Sequence, residues 1–305
     1  MYANNCIIST AIILTTIVMC VQTLDNDGKP LRGVTIVSPP FVMKSRDNQF
    51  EGFTIDLLKE IAKILKFEYT LYPSPDDRYG ATDSKGKPSG MIQELFMRRA
   101  EFAIADLTIG EIRQRYIDYS EPFLDLDLSI LINKKNIGNI TSFEDLANQT
   151  RIRYGTIREG ETYRSMSMSS DPTIIRINNY IYSNAFNLVN SREEGVQNTL
   201  NTEYAFIQES VANEYAADQN CELTIIHDKK NYYSRQYAIG LQKGSPFKPE
   251  FDRAIKQLKS DGTVDKLKRR YWKTKCLSGA VTAKLDIITT ISLIASALIS
   301  YILFN

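Results

Sequence analysis

The sequence predicts an α/β protein built as two compact domains, and three observations predict it. Strand-like and helix-like segments alternate between Leu31 and Cys276, the pattern of sheets covered by helices. The chain has 305 residues, enough for two cores. Two apolar strand-like runs, Leu128 to Ile132 and Gln236 to Leu241, stand far apart in sequence. They suit strands that link one domain to the other.

Thr35 to Val37 reads as a short strand. Ile55, Leu58, Ile61, Ala62 and Leu65 then recur at helical spacing, with Lys59, Glu60, Lys63 and Lys66 on the outer face. Phe102 to Ala105 reads as the next strand, and Ile112 to Ile117 as a helix. Beyond the first linking run, Thr141 and Glu144 fit a capping box that starts a helix carrying Phe143 and Leu146. Arg151 to Thr156 and Tyr204 to Ile207 are strand-like, each followed by a helical stretch. Phe251 to Tyr271 is amphipathic through Ile255, Leu258, Val264 and Leu267, with a break at Asp261-Gly262. There is no internal repeat and no low-complexity tract.

Composition narrows the function classes. Hydrophobic residues make up 43% and charged residues 24%, with a formal net charge of +1. That is a globular profile without the single-sign field that binds nucleic acid. Residues 1–23 open uncharged and run apolar from Ile7 to Val21, which predicts a secretory signal. The absence of Lys or Arg at its start leaves an uncleaved anchor open. Cleavage would remove Cys6 and Cys20, leaving Cys221 and Cys276 as one disulfide or two free thiols. Asn139 and Asn148 begin glycosylation sequons. Residues 277–305 form a hydrophobic tail, uncharged from Ile287 to Phe304. It has the length of a membrane span. With no basic residue after it and Ser278-Gly279-Ala280 before it, it also fits a lipid-anchor attachment signal.

Three strand-to-helix junctions carry binding chemistry, and ligands sit at such junctions in open α/β sheets. After Ala105 come Asp106, Thr108, Glu111 and Arg113. Thr108 with Glu111 fits a capping box that sets Arg113 in the first turns of a helix. An arginine fork there binds a carboxylate, unless Arg113 is a surface residue paired with Glu111 or Asp118. Gly160-Glu161-Thr162 reads as a second helix start, either an anion site or an ordinary cap. Glu209 precedes a helix start at Ser210, as a dipole-complementing cap or as partner to an ammonium.

Catalytic chemistry is not predicted. The one histidine, His227, has no nucleophile or orienting acid at recognisable spacing, and no Cys or His cluster has metal-ligand spacing. No cofactor is expected. An enzyme acting on a small amino or carboxylic acid remains the alternative class.

Taken together, these residues resemble the ligand-binding domain of ionotropic glutamate receptors over nearly all of residues 33 to 276. The resemblance rests on Thr35 to Met43, Tyr79 to Asp83, Gly90-Met91, Ala103 to Ile109 with Arg113, Ile117 to Phe123, Tyr154-Gly155-Thr156, Glu209-Ser210 with Glu214-Tyr215, and Asp265 to Trp272. It implies a two-lobed, periplasmic-binding-protein-like clamshell with two crossover strands. Lobe 1 would be 32–125 plus 238–276, and lobe 2 would be 126–237. It implies roles as well. Arg113 would clamp a ligand α-carboxylate, and Thr108 would touch carboxylate and ammonium. Glu209 would pair with the ammonium, Tyr79 would lie over the ligand, and Gly160, Glu161 and Thr162 would meet its distal group. Tyr237 would stand at the pocket edge, and Cys221 would bond to Cys276.

The implied partner is a free α-amino acid, glutamate first and a neutral amino acid second. The protein would sit outside the cell, held at the membrane surface by its tail, with a lobe 1 homodimer or a receptor channel as possible company. Three residues depart from the family. Asp106 stands where many members have proline, Glu161 replaces a small hydroxyl residue, and Ser38 replaces a glutamate. The pore helices that would interrupt the chain between the crossings are missing, since only residues 134–142 lie there.

Overall fold

A computed structural model of the protein describes residues 28–80, 86–158, 160–228, 230, 233–273 and 275–276. The expected signal at 1–23 and the hydrophobic tail at 277–305 lie outside the described residues. The chain divides into two compact units. The first runs through Leu126 and resumes at Ser234–Tyr271, while the second holds Asp127–Tyr233 and resumes at Trp272.

The first unit is a five-stranded sheet in the order Tyr69–Pro73, Leu31–Thr35, Phe102–Ala103, Gly240–Gln242, Ile117–Tyr119. The first three strands are parallel, and Gly240–Gln242 runs antiparallel to both its neighbours. The helix Phe53–Leu65 turns Ile55, Leu58, Ile61 and Leu65 inward at the expected spacing, joined by Phe53 and Leu57. The break at 261–262 is present, separating Lys248–Ser260 from Thr263–Tyr271. Asp56, on the first of these helices, accepts hydrogen bonds from Tyr271, Lys59 and Arg270. Burial pushes its pKa up, yet those donors outweigh it and hold the carboxyl below its ordinary value.

The second unit is a four-stranded sheet ordered Leu223–His227, Leu128–Asn133, Tyr204–Glu209, Arg153–Gly155. Leu128–Asn133 is antiparallel to both neighbours, whereas Tyr204–Glu209 and Arg153–Gly155 are parallel. Both central strands are buried along their whole length. Side chains alternate between faces along a strand. Leu128, Ile130, Ile132, Ala205 and Ile207 therefore build one core, and Leu131, Tyr204 and Phe206 the other. Helices cover both faces, so these strands read as continuous apolar runs rather than alternating ones.

Several local expectations are corrected. The first strand is Leu31–Thr35, so Ile36 and Val37 lie beyond it. The stretch expected as a helix from Ile112 to Ile117 is a four-residue helix, Glu111–Gln114, and Ile117 opens a strand. The run Gln236 to Leu241 is two short strands, Arg235–Tyr237 and Gly240–Gln242. The helix Phe143–Asn148 is capped by Ser142, which accepts from the Asp145 amide, while Asp145 accepts from Thr141. The capping frame thus sits one residue later than Thr141 and Glu144.

The units divide after Leu126, Tyr233 and Tyr271, so Trp272 and the residues after it belong with the second unit. Trp272 Nε1 donates to the Val211 carbonyl at 2.8 Å, and the Lys275 amide donates to the Asp218 carbonyl at 2.9 Å. Cys276 is bonded to Cys221, with Cα atoms 5.3 Å apart. These three ties fasten the last described residues to the helix Ser210–Gln219 and its end.

Candidate ligand-binding site

In the first unit the candidate residues gather where the chain leaves Phe102–Ala103. Thr108 is held extended by a bridge to Tyr237, flanked by hydrogen bonds from the Ile109 amide to Gln236 and the Ala238 amide to Leu107. It is therefore not a helix cap, contrary to the Thr108–Glu111 expectation. Gly110 occupies the cap position with no side-chain bond.

Arg113 follows in that short helix and is buried, at 7% exposure. Its Nε donates to the Gly80 carbonyl at 3.0 Å, and its Nη1 to the Thr108 carbonyl at 2.8 Å. Neither expected acid pairs with it. Asp118 pairs instead with Lys243 at 2.8 Å and accepts from the Gly244 amide. Burial raises the Asp118 pKa, but these partners overcome it and hold it below its ordinary value. Glu111 is exposed. Among the described residues no carboxylate lies within ion-pair distance of Arg113.

Gly80 makes the arginine's place possible. Its φ is +120°, and a Cβ there would meet the Ser89 carbonyl and Ile92 at 2.5 Å. Only glycine brings its carbonyl to the guanidinium in this way. Next to it, Tyr79 donates its hydroxyl to Asp106 Oδ1 at 2.7 Å, and Ser38 donates to Asp106 Oδ2 at 3.1 Å. Tyr237, expected at a pocket edge, is buried in an aromatic cluster, with ring centroids 5.3 Å from Phe41 and 6.4 Å from Phe123. The backbone pairing to Thr108 turns its ring into the core.

In the second unit the parallel strands Arg153–Gly155 and Tyr204–Glu209 both end at helix starts. Gly155 lies so close to the Asn187 carbonyl that a Cβ would collide with it. The same carbonyl accepts the Tyr204 hydroxyl at 2.9 Å, and burial pushes that phenol's pKa up. Gly160 then caps the helix Glu161–Ser167. Thr162 is buried, and its hydroxyl has no hydrogen-bond partner among the described residues. Glu161 is half-exposed and accepts from Ser165 of its own helix at 3.5 Å, while its carbonyl accepts from Tyr233 at 3.3 Å. Glu209 is buried at the end of its strand and is the cap residue of Ser210–Gln219. Behind it, Gln208, Asn213 and Ser129 are joined by buried hydrogen bonds.

Sequence reasoning passed over two residues here. Thr156 is fully buried with a hydroxyl unpartnered among the described residues, and Tyr119 adds a second donor, at 3.2 Å, to the carbonyl of Thr108. Only the Tyr-Gly-Thr motif signalled the first. Asn139 and Asn148 are both exposed. His227 is exposed, with Nδ1 3.8 Å from Asp127 Oδ2.

Two α/β units, each with polar and charged groups at its strand-to-helix junctions, define the class: a two-lobed ligand-binding protein. Residues 29–136 match the family model of the ligated ion channel L-glutamate- and glycine-binding site. Curated relatives include the rat "Glutamate receptor ionotropic, kainate 4", 28% identical over 89% of this chain and 40% of its own length. The human "Glutamate receptor ionotropic, kainate 1" is 26% identical over 78% of this chain and 40% of its own. The chain thus spans about 40% of the length of these relatives. A similar solved structure, "Drosophila muscle GluRIIB complex with glutamate", has 29% identity and a TM-score of 0.76, covering 81% of this chain and 100% of that one. By these likenesses the chain is similar to the ligand-binding domain of ionotropic glutamate receptors.

Proposed function

We propose that this protein binds a free α-amino acid, glutamate foremost, outside the cell and without an ion pore of its own. The observation that carries the reading is Arg113: a buried guanidinium, oriented by two backbone carbonyls, with no carboxylate partner among the described residues. A buried charge is costly unless it is paired. A ligand α-carboxylate supplies that pairing through charge-assisted hydrogen bonds. The resemblance would add Thr108 at the same end of the ligand, Glu209 for its ammonium and Tyr79 over it, with Asp106 behind Tyr79. By the same resemblance Gly160, Glu161 and Thr162 would meet the distal group, and the Thr162 hydroxyl, unpartnered among the described residues, favours a ligand with a polar end.

The absence of a pore is supported from inside the chain. Only residues 134–142 lie between the strand Leu128–Asn133 and the helix Phe143–Asn148, whereas one membrane-spanning helix needs about 20 residues. The alignment with the rat receptor also runs over 399 positions, while 89% of 305 residues is about 271, so many of the relative's residues have no counterpart here. Export, glycosylation at Asn139 and Asn148, and anchoring through 277–305 complete the reading. A homodimer of the first unit or a separate channel subunit would be its protein partner.

A thermal-shift screen of the free amino acids against the full chain tests this, because a ligand that binds only the folded state raises the apparent melting temperature. Stabilisation by glutamate that vanishes in Arg113→Ala is expected. No shift with any amino acid would overturn the reading. A larger shift with glycine, alanine or glutamine than with glutamate would replace glutamate by a neutral amino acid.

A further inference from the structure

The carboxylate of Asp106 is among the most enclosed acidic groups of the first unit, at 3% exposure. Its two oxygens are not equivalent. Oδ1 accepts the phenol of Tyr79 at 2.7 Å, and Oδ2 accepts the hydroxyl of Ser38 at 3.1 Å. The three residues come from separate segments, since Ser38 follows the strand Leu31–Thr35, Tyr79 follows Tyr69–Pro73, and Asp106 follows Phe102–Ala103. Those strands are parallel neighbours with Leu31–Thr35 in the middle. Their carboxyl ends therefore rise side by side, and Asp106 ties the three exits together.

We propose that Asp106 is the positioning residue for Tyr79, acting on ligand affinity by fixing the tyrosine ring rather than by serving as an independent acid for the ligand ammonium. This rests on the amino-acid-binding reading above. Each segment is separately braced. Ser38 is fixed by its bridge to Val42, and the stretch after Tyr79 by the Arg113 bond to Gly80. The phenol–carboxylate bond is short and charge-assisted, the strong kind of hydrogen bond, and burial shields it from competing water. Without it the tyrosine loses a defined ring orientation and its segment loses a tether, and the ligand must then supply the ordering itself. An asparagine at 106 retains an oxygen to accept from Tyr79 and an amide that can donate to Ser38. It can therefore position the ring, yet it has no charge to offer an ammonium.

The test is a double-mutant cycle on the full chain with L-glutamate as the titrant, alongside amide hydrogen exchange over residues 74–80 without ligand. Asp106→Ala and Tyr79→Phe are each expected to weaken binding about tenfold, and the double variant no more than either alone, because coupled residues are non-additive. Asp106→Asn is expected to recover most of what Asp106→Ala loses. Exchange over 74–80 should quicken in Asp106→Ala and Tyr79→Phe, and not in Asp106→Asn. Additive losses in the double variant overturn the proposal, as does Asp106→Asn losing as much as alanine while Tyr79→Phe binds normally. If the wild type binds no glutamate, the functional reading falls and the exchange arm alone decides the positioning role. Unchanged exchange in all three variants then overturns it.

Discussion

Arg113 Nη1 donates to the carbonyl of Thr108 at 2.8 Å, so the chain itself joins the two residues expected to meet a ligand's α-carboxylate. The bond uses the threonine backbone and leaves its side chain out of the arrangement. A site ordered in advance spends less of its binding energy on immobilising its own groups. Arg113→Lys is therefore expected to weaken amino-acid binding about 100-fold, roughly 2.7 kcal/mol, since an ammonium cannot reproduce the fork. Arg113→Ala should abolish binding and also destabilise the first unit, leaving the Gly80 carbonyl without its donor at a cost of about 1–3 kcal/mol. Calorimetric titration and thermal melts of the same samples check both.

Thr162→Val separates stability from affinity. The threonine hydroxyl is buried without a partner among the described residues, and a methyl of the same shape removes that penalty. Folding stability should rise by about 1 kcal/mol, or some 2–4 °C in melting temperature for a domain of this size. Glutamate affinity should fall. A variant that is both more stable and equally tight would remove Thr162 from the site.

Glu161→Ser asks whether the acid repels an anionic ligand. The carboxylate accepts from Ser165 along its own helix and is half-exposed, so its loss should change glutamate affinity less than about threefold, as solvent screens such a charge. A tenfold gain for glutamate in competition against glutamine would mean that the acid faces the ligand and that glutamate is not the natural one.

Asp56 sets a pH dependence in the first unit. Its pKa is lowered in the folded state by Tyr271, Lys59 and Arg270, against the opposing effect of burial. The sign follows from linkage: a depressed carboxyl contributes stability that is complete above its unfolded pKa and is lost as the pH falls through the folded one. Asp56→Asn should cost about 1–3 kcal/mol near neutral pH, and the gap to wild type should close as acid is added below about pH 4. Equal melting curves at pH 7 would refute the coupling.

How much was legible in the sequence varied with the range of the interaction responsible. The amphipathic helix Phe53–Leu65 and the buried run Leu128–Asn133 are written in local periodicity, and the structure has both. The helix starts after Gly160 and Glu209 were equally plain. Capping frames were not. Thr108 and Thr141 carry the right residues at the right spacing, but the backbone leaves the helical region at Gly110 and Ser142 instead. The burial of Tyr237 depends on Phe41 and Phe123, and the enclosure of Asp106 on Ser38 and Tyr79, all distant in sequence. A single sequence holds no sign of such meetings.

The disulfide from Cys276 to Cys221 also bears on mechanics. Backbone passes between the two units three times, after Leu126, after Tyr233 and after Tyr271, and the last passage ends in a covalent bond. Tension applied to the chain beyond Cys276 would therefore meet the sulfur bridge to Cys221 before it reaches the helix Thr263–Tyr271. That cysteine lies just past the helix Ser210–Gln219, whose opposite end is capped by Glu209. A pull on the tail is thus delivered to the very helix that begins at the acid proposed for the ligand's ammonium, and reduction of the bridge would leave that load to the hydrogen bonds of Lys275 and Trp272.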